Sequence, residues 1–299
     1  MNLSKIVILI FIYLVIPLSL NAAIRIDAIQ RQVELPDKPQ RIVSLVPSVT
    51  EVLFALGLEK QIVGVTSFCT YPKQARSKPQ VGGYPNPNLE AILEQHPDLV
   101  FLAADPATPT LLARMEDLGL PVYVVYPQGV QATIEMIRTL GQVTGVPANG
   151  EKLAQQLATT VATVKTLVTG QSHPRVLFCI MVHPLTVAGP RTLVGDLLET
   201  AGAENVVADG VNRYPTWGTE ALLLADPDLI VVSPNSNTPN PAELFAAWPE
   251  LQAVRNKHII SVVSDWVHRP GPRLGLGLLS LTAAIHDLDL SALIASEQQ

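Results

Sequence analysis

Asp265 and Arg269 stand four residues apart around Trp266 and His268, and Pro270-Gly271-Pro272 breaks the chain directly after them. A carboxylate supplies acceptor oxygens and a guanidinium supplies a planar fork of donors. Such a loop could therefore hold the amide rim of a ligand with an indole packed below. The same pair could instead be an ordinary ion pair that fixes the loop. Aromatic residues make up only 5% of the chain, yet Phe68, Tyr84, Tyr214 and Trp217 fall in predicted loops or strand ends. Pro47 and Ser48, and Met181 and His183, follow predicted strands in the same way. Rings gathered at strand ends suit a cleft for a large, flat, partly apolar ligand. Taken singly, each ring could equally plug the end of a sheet.

Reaction chemistry is missing from the pattern. The chain has no phosphate loop, no G-x-S-x-G elbow and no carboxylate pair in a setting for general acid–base work. Gly275-Leu276-Gly277 lies inside a helical stretch without a preceding strand. The six histidines are dispersed. His96 and His258 precede strands, His173 and His286 lie near helix ends, and only His183 and His268 are placed to face a cleft. Two ligands make a weak metal site, so a zinc or manganese carrier is disfavoured. The net charge of −6 and the absence of a basic run argue against nucleic acid. The expectation is a binding protein with no catalytic residue, no resident metal and no cofactor.

What must position these residues is an internal duplication. NLEAILEQHPDLVFL from Asn88 returns as GTEALLLADPDLIVV from Gly218, in register at an offset of 130 residues, with Glu90/Glu220, Pro97/Pro227 and Asp98/Asp228 in common. Each copy reads as a capped amphipathic helix, a Pro-Asp turn and an apolar run suited to a buried parallel strand. A weaker echo pairs TEVLFALGLE from Thr50 with GDLLETAGAE from Gly195 at an offset of 145, so the first half carries an insert that VGVTSFCTYPKQARSKPQVGGY accommodates. Glu90 and Glu220 fall in the first turn of the repeated helix, behind Asn88 and Thr219 as expected caps. The helix dipole accounts for one such acid, and an equivalent pair invites a role in gripping basic residues of a partner.

Strands alternate with helices throughout. RIVSLV from Arg41 reads as a strand, with Pro47-Ser48 capping the helix that follows. Gln131 to Leu140 reads as a helix ended by the breakers Gly141, Gly145, Pro147 and Gly150. Glu151 to Val168, free of Gly and Pro, reads as a strut of about 27 Å between the halves. The expected division is residues 1–22 as a secretory signal peptide, 23–149 as a first α/β lobe, 150–170 as a linking helix and 171–299 as a second α/β lobe. The leader rests on Lys5, an apolar run too short to span a membrane and the small residues Asn21-Ala22-Ala23. Cys69 and Cys179 fall in different halves, and two separate, buried thiols are expected.

RIVSLVPSVTEVLFALG, YPKQA, VGGYPNPNLEAILEQHPDLV, TEALLLADPDLIVV and SDWVHRPGPRL together resemble the periplasmic cobalamin and iron-siderophore binding proteins of ABC importers, the cobalamin branch above all. The resemblance covers essentially the whole chain after the leader. It implies a class III periplasmic binding protein: two Rossmann-like lobes with parallel sheets, joined by a single long helix, a monomer holding its ligand between lobes that open and close little. It further implies cobalamin or a related corrinoid as cargo and an ABC permease dimer as partner. By position, Tyr84 and Tyr214 fall where cobalamin binders have corrin-stacking tryptophans, and Phe68 falls where they have a tyrosine. Asp265 to Arg269 matches the loop that reaches the corrin amides, and Glu90 and Glu220 match the acids that dock on permease arginines. Ile180 replaces an aromatic near the ligand, and His183 and His268 depart from the pattern. Ferric siderophore or haem is the alternative cargo, favoured by an arginine-rich cleft or an axial Tyr or His. A secreted α/β enzyme is the more distant rival.

Overall fold

In the computed structural model, which describes residues 22–84, 86–105, 108–233 and 240–298, the N-terminal strands β1 (Ala22–Ile26) and β2 (Gln32–Pro36) form an antiparallel hairpin. Buried Asp27 holds its turn, accepting from the backbone N–H groups of Ile29 and Arg31. The Tyr123 hydroxyl donates to the carbonyl of Ile26 at 2.8 Å and ties the hairpin to the first sheet. The expected leader, residues 1–22, lies outside the described residues except for Ala22.

The first lobe runs β3 (Ile42–Ser44), α1 (Pro47–Ala55), β4 (Ile62–Val65), α2 (Leu89–Glu94), β5 (Leu99–Ala103), α3 (Thr108–Asp117) and β6 (Val122–Val125). Its four strands are all parallel, in the order β4-β3-β5-β6. Strand β3 is shorter than RIVSLV promised, because Val46 is already the N-cap of α1 and Pro47 occupies a first-turn position where its missing N–H costs nothing. Ser48, expected to cap that helix, is instead buried within it and caps nothing.

Helices α4 (Val130–Val143) and α5 (Pro147–Val168) follow, packed against each other. Here two glycines read as breakers have another role. Gly141 lies inside α4 and Gly150 inside α5, and a Cβ on Gly141 would stand 2.6 Å from the Gly150 Cα. They let two helix backbones touch. The linking helix thus begins at Pro147 and has 22 residues, about 33 Å at 1.5 Å per residue. Gly170, at φ +77°, lies just beyond its end.

The second lobe comprises β7 (Arg175–Met181), β8 (Thr186–Val187), α6 (Leu193–Thr200), β9 (Glu204–Asn205), α7 (Thr219–Ala225), β10 (Leu229–Val232), α8 (Pro241–Leu244), α9 (Gln252–Arg255), β11 (Ile259–Ser261), α10 (Ser264–His268), α11 (Leu274–His286) and α12 (Ser291–Glu297). β11, β10, β7 and β9 run parallel, and β8 folds back antiparallel on β7. The repeated aspartates do the same work in both lobes. The Asp98 carboxylate accepts from the Arg41 N–H at 2.8 Å and that of Asp228 from the Arg175 N–H at 2.8 Å, each clamping the start of the neighbouring strand.

Alternation along the buried strands builds three cores. Val43, Val100, Leu102 and Val124 face outward to α2 and α3, while Leu177, Cys179, Ile230 and Val232 do the same in the second lobe. The opposite strand faces, with Ile42, Phe101, Val176, Phe178 and Val231, share one continuous core with α1, α4, α5, α6 and α11. Swinging the lobes apart would return part of that shared apolar surface to water, which resists wide opening. Cys69 and Cys179 are both free and buried. No described helix is long and apolar enough to cross a membrane.

Candidate functional site

Beyond the carboxyl ends of the first sheet, a cavity of about 530 Å³ opens between the lobes, the place where open parallel sheets hold ligands. Pro47 at the head of α1, Phe68 in the loop after β4, Tyr84 before α2 and Tyr126 directly after β6 line one wall. Arg191 and Thr192 at the head of α6, Arg213 and Tyr214 before α7, and His268 and Arg269 at the end of α10 line the other. Seven of the residues singled out from the sequence thus meet in one cleft: Pro47, Ser48, Phe68, Tyr84, Tyr214, His268 and Arg269.

The others lie elsewhere. β7 does not stop at a loop over the cleft but turns back through β8, and this hairpin carries its end away. Ile180 packs against the shared core, Met181 is exposed, and His183 is exposed in the turn. Trp217 packs on the outer core of its own lobe and donates its backbone N–H to the Leu185 carbonyl. Trp266 is half-buried against α11, where a Cβ on Gly277 would stand 2.4 Å from the Trp266 carbonyl oxygen. Asp265 faces arginines, not the cavity.

Those arginines form an ionic cluster beneath the cleft. Arg269 donates to Glu51 Oε1 at 3.0 Å and pairs with Asp265 at 3.1 Å. Arg273 grips both oxygens of Glu51, at 2.6 and 2.7 Å, and reaches Asp265 at 3.2 Å. Its guanidinium carbon stands 4.0 Å from the centre of the Tyr71 ring. Two acids and two bases leave this cluster neutral. Glu51 and Arg273 also line a second, larger cavity of about 730 Å³ bounded by α1, α5 and α12.

Higher on the second wall, Arg191 is paired with Asp209 at 2.7 Å. Arg213 donates to the Tyr126 hydroxyl at 3.1 Å, bridging the lobes. Three arginines, Arg191, Arg213 and Arg269, thus border the cleft. Tyr126 was visible to the same strand-end rule that found the others, since it directly follows VYVV. Arg191 and Glu51 carried no local signal.

Burial raises the pKa of Tyr84, and the Asp105 charge adds to it. Burial likewise raises Tyr214, against the opposing pull of Arg213 and a hydrogen bond to Thr192. Both phenols therefore stay protonated and neutral at pH 7. Burial lowers the pKa of His268, with Asp265 countering in part, so the ring is neutral at pH 7. Its Nε2 lies 2.7 Å from Ser233 Oγ and its edge meets the Phe178 ring. Among the described residues no cluster of His, Cys, Asp and Glu could hold a metal ion.

Glu90 and Glu220 are both exposed in the first turns of α2 and α7. Asn88 caps the first helix as expected, accepting from the Ala91 N–H at 3.1 Å. Thr219 does not cap the second, where Gly218 is the N-cap without a side-chain bond.

The family described as periplasmic binding protein matches residues 42–265. The vitamin B12-binding protein of Vibrio parahaemolyticus is 28% identical, over 78% of this chain and 85% of its own length. The periplasmic heme-binding protein RhuT from Roseiflexus sp. RS-1 is 30% identical with a TM-score of 0.74, covering 83% of this chain and 98% of that one. The periplasmic vitamin B12-binding protein BtuF of Vibrio cholerae shares the fold at a TM-score of 0.74 and 24% identity, over 88% of this chain and 100% of its own.

Proposed function

The chain belongs to the periplasmic binding protein family, and on that premise we propose that it captures a corrinoid, cobalamin above all, between its lobes and hands it to the permease dimer of an ABC importer. The observation that carries this reading is the trio Phe68, Tyr84 and Tyr214 around one cavity of about 530 Å³. A flat macrocycle lying between these rings buries apolar area on both faces and leaves its substituents at the mouth. The neutral ionic cluster below suits a ligand whose rim is made of amides. Burial raises both phenol pKa values, so without a metal Tyr84 and Tyr214 are neutral rings suited to packing on a flat ligand. The B12-binding relative supports the same class of cargo.

In this reading residues 1–22 are the leader that exports the chain to the periplasm, where it works as a monomer. Glu90 and Glu220, exposed at corresponding places on the two lobes, dock on basic residues of the permease. The protein carries its cargo without turnover.

Haem is the second reading. Arg213 at the rim favours it, because it can meet an anionic substituent of a porphyrin, and so does the heme-binding relative. The deciding experiment incubates the purified mature protein with cyanocobalamin or with haemin, passes each over gel filtration and records the visible spectrum. Red corrinoid absorbance eluting with the protein upholds the first reading. Co-elution of haemin, with cyanocobalamin left in the small-molecule volume, overturns it.

A further inference from the structure

We propose that Glu51 is the positioning residue of the cleft, a buried latch on the first lobe that aims Arg269 of the second lobe at the ligand and holds the gap between lobes. The proposal rests on the inter-lobe ligand site argued above. Glu51 sits on α1, and its side chain is 1% exposed. Both partners come from the far lobe, more than 200 residues on: Arg269 at 3.0 Å, and Arg273 at 2.7 and 2.6 Å on separate carboxylate oxygens.

Three features make this more than a surface ion pair. The bonds to Arg273 are two-pronged, which fixes orientation as well as distance. The carboxylate is removed from water, so deleting its charge leaves two guanidiniums, only 12% and 19% exposed, to share the single carboxylate of Asp265. Arg269 also lines the cleft and lies 3.5 Å from the carbonyl of Phe68, a cleft ring. Moving Glu51 therefore moves a donor that lines the cleft. Asp265, on the same lobe as the arginines, cannot substitute, because it spans no gap.

The test compares Glu51→Gln with the charge-balanced double variant Glu51→Gln/Arg273→Gln. Cyanocobalamin and haemin serve as probes, and the separation of spin labels placed at Glu94→Cys and Leu224→Cys, one exposed site on each lobe, reports the gap without ligand. Glu51→Gln is expected to release whichever probe the wild type binds at least about tenfold faster and to broaden the label distances. In the double variant the melting temperature recovers while fast release and broad distances persist. A merely structural role predicts that binding recovers with stability. Wild-type release and wild-type distances in the double variant overturn the proposal, as does an unchanged Glu51→Gln. If the wild type binds neither probe, the cargo reading fails, and the ligand-free distances still decide the latch.

Discussion

The guanidinium of Arg213 donates to the Tyr126 hydroxyl at 3.1 Å, joining the two lobes at the cleft. Arg191 on the same wall is neutralised by Asp209, whereas among the described residues Arg213 meets the Tyr126 hydroxyl and no carboxylate. Its positive charge is therefore on offer to a ligand. A cargo with a carboxylate at the rim should use it, and an amide-rimmed cargo should use it little. Arg213→Gln is expected to weaken haemin binding by about tenfold or more and cyanocobalamin binding by less than about threefold, measured by spectral titration. Equal losses for both would show that Arg213 acts through the fold and not through ligand charge.

His268 should make stability depend on pH. Burial depresses its pKa in the folded protein, so between that value and the ordinary value of about 6.5 the unfolded chain binds more protons than the folded one. Stability rises with pH across that window and is lost as pH falls through it. Melting temperatures recorded from about pH 7.5 down to about pH 5 should fall, and His268→Asn should flatten the fall. A variant that keeps the full wild-type slope would assign it to other groups.

Neither thiol should react in the native protein. Burial pushes the Cys179 thiol up to about 12, and its Sγ lies 3.2 Å from the Met181 carbonyl. Cys69 is buried in the shared core with Thr50 Oγ1 at 3.1 Å. Because the thiolate is the nucleophile, a maleimide is expected to label no cysteine in buffer and both in denaturant. Mass spectrometry reads the count; rapid native labelling contradicts this packing.

Gly141→Ala should destabilise the protein although the site is helical. In an exposed helix that change ordinarily stabilises by about 1 kcal/mol. Here the new Cβ would stand 2.6 Å from the Cα of Gly150 and 3.1 Å from its nitrogen, backbone that cannot turn aside. A loss of about 1 to 3 kcal/mol is expected from urea unfolding. A gain would mean that α4 and α5 can part at no cost.

The duplication made much of the architecture legible in advance, because it rests on local patterns: apolar runs of strand length, helix-period stripes and a Pro-Asp turn repeated at Asp98 and Asp228. Tyr84 and Tyr214 could be picked out from position alone, since each precedes the repeated helix and the ends of parallel strands converge on one edge. The same rule misled at Met181 and His183. Whether β7 ends over the cleft or turns back depends on its pairing with β8, which leaves only a two-residue strand to read. Gly141 and Gly150 look like breakers until the helices holding them are seen in contact.

Composition and periodicity by themselves determined two α/β halves, a long helix between them and a set of rings at strand ends, because each follows from neighbours within a few residues. Only the tertiary structure decided which rings and charges share a cavity. Glu51 and Arg269 lie 218 positions apart, and nothing near either residue encodes the other. Their meeting is set by how two sheets and α5 bury one continuous apolar core, and that packing turns two separate lobes into one site.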